Sequence, residues 1–585
     1  MTSVIDRPQP GAGPPAAAGG ASWSASRPTL APESRATKWK RRVSSEGFVV
    51  TLVAAVGYVI VGLLLDFRYH SFLGDATART ANGFYILHSR DPHLAAIGFV
   101  WNPLSSMAVL PLLAFNTLWP PLAANDVAGS LVSALAMAGA VYQLWALVRE
   151  WRISLLPRLV LVAVFALNPM IIYYAGNGMS EGLYLFTMVA TVRYLIRYVR
   201  HDDLRSLVYA ASFLGLGYLD RTEPIAAAVL AAPIVFGLAY AKSDGIRHAR
   251  TMAGLTDMTI FLMPIVTAAV GWAVTSYVIV GNAFEQLSSQ YGNSSLIAQS
   301  GIKPGHYGAR LLFEGKSVEY YMPLIAIIVV AAALVAAYRR DVQILVIVAV
   351  LGGGLAFNLV SYLDNTIFPF FRYFILMVPL AVILVANMLA VPERARRPRS
   401  NDAVHKAMVA IGSAVVAVVL LVPSVPATAA GMFNPNIGSQ EVQEVGFIFA
   451  KHPDANQLVA VNTYKGIAIM TRSIDAMHLP AGSIVVNNAN ECIPDMIMRV
   501  SDPKVFVIPN DRDFQRILDD PLTFDAHYLL VPDPVDSPAD SIDNQYPRLY
   551  AHGGGFAHLV TTFKADGSCV TFRLYQVTGH PLGTF

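Results

Sequence analysis

The chain has 585 residues, of which 55% are hydrophobic and 14% charged, and its mean hydropathy is +0.49. Soluble domains carry about a quarter charged residues, so this composition excludes a wholly soluble protein. The formal net charge of +3 says little about partners. The basic residues fall in short runs between apolar stretches, not on an aromatic-laced surface, and this argues against nucleic acid.

Residues 1–46 are rich in Pro, Ala, Gly and Ser and end in Lys38, Lys40, Arg41 and Arg42. Such a segment cannot bury a core and reads as a disordered cytoplasmic tail. The apolar run from Gly47 to Leu65 is long enough to cross a bilayer and has no small-residue cleavage site, so an uncleaved first span is expected. Lys and Arg at its start place the N-terminus inside and the polar stretch Tyr69–Leu104 outside. The next apolar run, Ser105–Trp119, is short and bounded by Pro103, Pro120 and Pro121, which suits an interfacial helix.

Further spans are expected near 127–148, 156–173, 180–197, 206–219, 223–241, 255–280, 320–338, 342–361, 370–390 and 405–425. With the first, that makes about eleven, in a membrane domain of residues 47–425 with an outer loop at 67–126. Alternate loops carry the Lys and Arg: Arg149, Arg152 and Arg158; Arg197, Arg200 and Arg205; Lys242, Arg247 and Arg250; Arg339 and Arg340; Arg394, Arg396, Arg397, Arg399 and Lys406. Positive loops face the cytoplasm, which fixes the expected orientation of a multi-pass plasma-membrane protein. The outer loop 281–318 has the length of a mobile lid.

From about residue 430 the composition changes to β-rich runs (Leu458–Val461, Ser483–Val486, Val505–Ile508, Tyr528–Val531, Val570–Tyr575) between helix-like stretches and turns. An α/β domain over 430–585 is expected, outside the cell if the span count is odd. It holds the only cysteines, Cys492 and Cys569, which pair as a disulfide in an oxidising compartment or otherwise stay two buried thiols. No phosphate-binding glycine loop and no metal-ligand spacing occurs in it. No internal repeat marks a transporter built from duplicated halves.

The first outer loop gathers Asp75, Asp91, Arg79, Arg90, His88 and His93. In a helix from about Ser71 to His88, Asp75, Arg79 and Asn82 share one polar face above the spans. Taken alone, this is a surface ion pair. Beside the outer ends of many spans, it suits a carboxylate whose proton affinity is raised in a partly dry cleft. Asn177 with Glu181, Arg221 with Glu223, and Arg372 put further polar groups near the same face. Each of these is equally a residue snorkelling at a span end.

Gly74-Asp75-Ala76 with Arg79, Arg90-Asp91-Pro92-His93 and Trp101-Asn102-Pro103-Leu104 resemble the first-loop pattern of GT-C glycosyltransferases, in the layout of the protein O-mannosyltransferase and lipid A aminoarabinose transferase group. Two positions depart from the pattern: the acid after Gly74 is single, and Asn102 stands where a basic residue is common. The resemblance implies transfer of a sugar, mannose or arabinose, from a polyprenyl-phosphate donor to a glycan, lipid or protein acceptor in cell-wall biosynthesis at the outer membrane face. It implies Asp75 as the base that takes the acceptor proton and Arg372 as a grip on the lipid phosphate. Arg79, Asp91, His93, Glu181, Arg221 and Glu223 are candidates for substrate binding, with Asp91 equally readable as an Asp-Pro turn. A divalent metal is left open, with no ligand set to name. The readings set against this one are a flippase or transporter of a lipid-linked precursor and a membrane anchor without activity.

Overall fold

The computed structural model describes residues 46–299, 305–390, 403–490 and 492–581. The N-terminal tail, Lys303 and the basic loop with Arg394, Arg396, Arg397 and Arg399 lie outside these residues.

Seven described helices are long and apolar enough to cross a membrane: α1 (Glu46–Tyr69), α4 (Val127–Glu150), α9 (Pro224–Lys242), α10 (Arg247–Val280), α13 (Gln343–Leu363), α14 (Phe371–Leu389) and α15 (Val404–Met432). Two bent pairs raise the number to nine if each is one span: α5 with α6 (Leu155–Ala166, Pro169–Gly176) and α11 with α12 (Tyr307–Tyr321, Ile325–Arg339). The two other expected spans are helices as well, α7 (Glu181–His201) and α8 (Leu204–Asp220), but they fall short of that test. The C-terminal half of α7 is charged, with Arg193 buried against Glu150 and Gln143, and α8 has only 17 residues. Helices thus stand at all eleven expected positions, and seven to nine of the described spans pass by length and composition.

Helix α1 shows what lipid contact does to a sequence. Its first 18 residues bury only Gly47, Tyr58 and Gly62, while Leu52, Val53, Val56 and Ile60 are at least half exposed. An apolar face open to solvent is costly, whereas the same face in hydrocarbon is at home. Gly62 is where α1 crosses α6: a Cβ on Gly176 would meet the Gly62 nitrogen at 2.8 Å. Small residues let two backbones approach this closely.

The first outer loop forms α2 (Gly74–His88), starting three residues later than expected, and the short α3 (Leu104–Leu113). Within the loop 281–318, the residues from Tyr307 onward belong to α11, and Tyr291 Oη donates to the Ala539 carbonyl at 3.3 Å. Past the last span come α16 (Ser439–Phe449) and α17 (Val459–Asp475). The run Leu458–Val461, expected as a strand, lies at the start of α17. Ala460, Ile467, Met470 and Ile474 are buried at helical spacing, and that amphipathic period outweighs the β-branched residues.

Then β1 (Ile484–Val486), α18 (Cys492–Arg499), β2 (Phe506–Val507), β3 (Tyr528–Pro532), β4 (Ala557–Phe563) and β5 (Phe572–Val577) build a five-stranded sheet in the order β2-β1-β3-β5-β4. β1 pairs in parallel with β2 and β3, and the β3–β5–β4 side is antiparallel. Cys492 and Cys569 are bonded across a Cα–Cα distance of 5.6 Å. The sheet unit is not a separate bead. Ala81, Phe84, Tyr85 and Val109 of the outer loop share one apolar core with Ile467, Met470, Met496 and Phe506. That shared core fixes α2 between the spans and the C-terminal part.

Candidate functional site

Leu73 is extended (φ −71°, ψ 125°), and the helix that follows puts Asp75 in its first turn. A carboxylate there faces the unpaired amides and the positive end of the helix dipole. Its chief partner comes from the far end of the membrane part. Pro369 and Phe370 deliver an extended chain into a 3-10 turn at Phe371–Phe374, which opens α14 and aims Arg372 back toward α2. Arg372 Nη2 donates to Asp75 Oδ2 at 2.5 Å.

The cluster grows from this pair. Arg79, one turn along α2, donates to the Asp75 carbonyl at 2.8 Å and lies 3.9 Å over the Trp101 ring. Glu181 Oε1 sits 3.8 Å from Arg372 Nε and accepts from Arg221 Nη1 at 2.8 Å. Arg221 Nη2 in turn reaches Glu223 Oε1 at 2.7 Å. Three carboxylates thus face three guanidiniums, all held by helix ends at one side of the spans. Asn177 acts at one remove: its Oδ1 accepts from the Met179 amide at 3.2 Å, and the Met179 sulfur lies 3.6 Å from Arg79 and 3.8 Å from Arg372.

Arg372 is 3% exposed while the Asp75 side chain keeps 28% of its surface open. Charges this sheltered from water must be paired to stay ionised. Burial would raise the Asp75 carboxyl, but the Arg372, Arg79 and Arg221 guanidiniums overcome it and hold the group below its ordinary value. This reverses the raised affinity expected from the sequence. The reason is the number of cations converging on one carboxylate, two of them from distant helices. For Arg79, burial dominates instead and lowers it to about 10.

Two atoms of the cluster are buried without hydrogen-bond partners among the described residues, Arg372 Nε and Glu181 Oε2. A buried donor and acceptor left open are costly in the free protein and favour a polar ligand that satisfies both. Glu441 of α16 adds a third open atom nearby. Its Oε1 accepts from Tyr174 Oη at 2.6 Å, its Oε2 has no partner, and its carboxyl is pushed up by burial within electrostatic reach of Arg372 and Glu181. Nothing in the sequence marks Glu441, which lies in an ordinary amphipathic helix beyond the last span.

Asp91 and His93 are placed elsewhere. Asp91 accepts from Arg512 Nη2 at 2.5 Å, from its Nε at 2.9 Å and from its amide at 3.0 Å, while Arg90 pairs with Asp511 and Asp513. His93 Nδ1 bonds the Asp91 carbonyl at 2.7 Å. These residues clamp the outer loop to the β2–β3 side of the sheet unit and have no contact with the Asp75 cluster. Asp91 and His93, expected among the substrate-binding candidates, are thus engaged with the sheet unit, apart from the six residues around Asp75. No group of three or more His, Cys, Asp and Glu among the described residues is arranged to hold a metal ion.

No family model matches the chain, and no curated protein matches it. Among solved structures, ArnT from Cupriavidus metallidurans in the apo state aligns over 93% of this chain and 98% of its own, at 14% identity and TM-score 0.46. The apo oligosaccharyltransferase of Archaeoglobus fulgidus aligns over 85% of this chain and 71% of its own, at 11% identity and TM-score 0.41. The same organism's oligosaccharyltransferase AglB, in complex with an inhibitory peptide and a dolichol-phosphate, covers 87% and 72%, at 10% identity and TM-score 0.40.

Proposed function

We propose that this protein is a membrane glycosyltransferase of the GT-C type that moves a sugar from a polyprenyl-phosphate donor to a cell-envelope glycan, lipid or protein acceptor at the outer membrane face. The observation that carries the reading is the Asp75–Arg372 pair, set in a formally neutral cluster at one end of the spans. The Lys/Arg bias of the alternate loops supports the outward orientation, and the Cys492–Cys569 bond suits an oxidising compartment. The first-loop motifs point to mannose or arabinose as the sugar.

In this mechanism the acceptor hydroxyl attacks the anomeric carbon. The new carbon–oxygen bond forms as the bond to the lipid phosphate breaks, and the hydroxyl proton passes to Asp75. Arg372, through its open Nε, and Arg79 stabilise the charge that develops on the leaving phosphate. The low proton affinity of Asp75 in the free site is consistent with this division of labour. As Arg372 shares its charge with the departing phosphate through Nε, its hold on Asp75 weakens and Asp75 becomes more basic when a base is needed. Glu181, pinned by Arg221, keeps Arg372 in place.

The test is transfer by the purified full chain, supplied separately with polyprenyl-phosphate mannose and polyprenyl-phosphate arabinose and with envelope glycan or lipid fractions. Label should appear in the acceptor fraction from one of these donors. Donor translocation across vesicles with no covalent product would replace the transferase reading with a flippase.

A further inference from the structure

The far end of the spans carries a groove that the transfer chemistry does not use. It has a volume of about 490 Å³ and runs between α12 and the start of α13. Val329, Ala333 and Ala337 of α12 line it with Ile344 and Val348 of α13 and the buried Leu384 of α14. Arg340 and Asp341, in the turn between α12 and α13, are the two polar residues of the lining. The volume is that of a small-molecule site.

Two contacts fix where the groove opens. Arg339 Nη1 donates to the Ala390 carbonyl at 3.0 Å, and Asn387 Nδ2 donates to Asp341 Oδ2 at 3.0 Å, so the turn sits at the end of α14. Arg372 lies at the start of the same helix, roughly 22 Å away by the helical rise per residue. The hydrocarbon core is about 30 Å thick, so the groove belongs to the leaflet away from Asp75. Tyr338, just before the turn, is 91% exposed, as an aromatic ring at the membrane–water boundary is. Val329, Leu345 and Val348 leave the groove open to the lipid side, and an alkyl chain is what fills an apolar groove there.

The charge at the mouth is not balanced within the chain. Asp341 accepts from the Gln343 amide at 2.9 Å and its side chain at 2.8 Å, besides Asn387, and these bonds hold it against the helix ends. Arg339 is engaged by the Asn387 and Ala390 carbonyls. Arg340 has no hydrogen bond or ion pair among the described residues. A free guanidinium beside an apolar groove between spans suits a lipid with a negatively charged head.

We infer that this groove holds one anionic phospholipid, with an acyl chain along α12 and α13 and its headgroup phosphate on Arg340. The donor lipid is not the occupant, because its phosphate is assigned to the other end of α14. The site stands whether or not the chain transfers sugar.

The experiment is native mass spectrometry of the full chain in detergent, titrated with phosphatidylglycerol and with phosphatidylcholine of the same acyl chains. The first phosphatidylglycerol should bind at least tenfold more tightly than the first phosphatidylcholine. Arg340→Asn should abolish that preference. Asparagine suits the left-handed backbone at this position (φ 55°), so the lipid-free variant should keep the wild-type Tm. Ala337 is exposed, and Ala337→Phe should fill the groove and weaken both lipids at least tenfold. Glycerophosphoglycerol, the same headgroup without chains, should not compete. Equal binding of the two lipids by the wild type, a preference that survives Arg340→Asn, or competition by the free headgroup would overturn the site. A two-chain species lost in Ala337→Phe would overturn it as well, since the groove would then seat a second copy.

Discussion

Asp75 and Arg372 stand 297 residues apart in the chain and share a 2.5 Å ion pair. One opens the helix after the first span and the other opens α14, so the pair ties the outer loop to the end of the membrane part. Arg372 is almost wholly buried and Asp75 is not. Loss of the carboxylate therefore strands a buried charge, whereas loss of the guanidinium frees a half-open one. Arg372→Ala should weaken donor binding at least tenfold, read by titration with a polyprenyl-phosphate sugar, because a buried charge-assisted contact to phosphate is worth about 1.5–3 kcal/mol. Arg372→Lys should recover only part of the loss, since a point charge cannot span Asp75 and the phosphate as a fork does.

The pH profile reports the same pair. A carboxyl held below its ordinary value stays ionised into acid, so the acid limb of kcat/KM should lie below the usual carboxylate range. Removing a nearby cation by Arg79→Met raises the Asp75 carboxyl, so that limb should move to higher pH. An acid limb that does not move would separate Arg79 from Asp75.

The clamp between the outer loop and the sheet unit divides into a sheltered half and an exposed half. Asp511 has no exposed side-chain surface and its pairing with Arg90 is partly covered, whereas Arg512 is 70% exposed. Breaking a sheltered pair leaves an uncompensated charge, while exposed pairs contribute little. Arg90→Ala should cost about 2 kcal/mol in a denaturation experiment, the scale of a buried acceptor left without its donor, and Arg512→Ala should cost nothing measurable.

Reduction of the Cys492–Cys569 bond tests the packing of the C-terminal part. The bond closes a loop with a sequence separation of 77, and restoring that freedom to the unfolded chain is worth about 4 kcal/mol. Because α2 shares its core with Met496 and Phe506, the Cys492→Ser/Cys569→Ser double variant should lose transfer activity at a lower temperature than the wild type. Unaltered thermal inactivation would mean that the sheet unit does not support the loop.

Much of the site was legible because the surroundings are apolar. Asp75, Arg79, Glu181, Arg221, Glu223 and Arg372 stand out where a charge is expensive, and the structure brings these six together. Their pairings were not legible, since they depend on which helix ends meet in space. Neither was the direction of the Asp75 shift, which follows from those pairings. Asp91 and His93 sat in the same dense stretch, with Asp91 equally readable as a turn, and their placement was not legible because Asp91 is held by Arg512, in a part of the chain with ordinary charge density, while His93 bonds Asp91. Glu441 was hidden for the same reason: an acid in an amphipathic helix gives no sign until its burial is known. The strands were easier to read than the helix at Leu458, where β-branched residues masked a helical period, and β4 was missed because its residues alternate weakly.

The central claim is that Asp75 takes the acceptor proton. The most direct measurement is single-turnover transfer by Asp75→Asn, with donor binding measured in the same preparation. The account predicts donor affinity within about threefold of wild type and a transfer rate lower by at least 10³, the scale of a lost general base together with its alignment. Transfer within tenfold of the wild-type rate, with the donor bound, would contradict it.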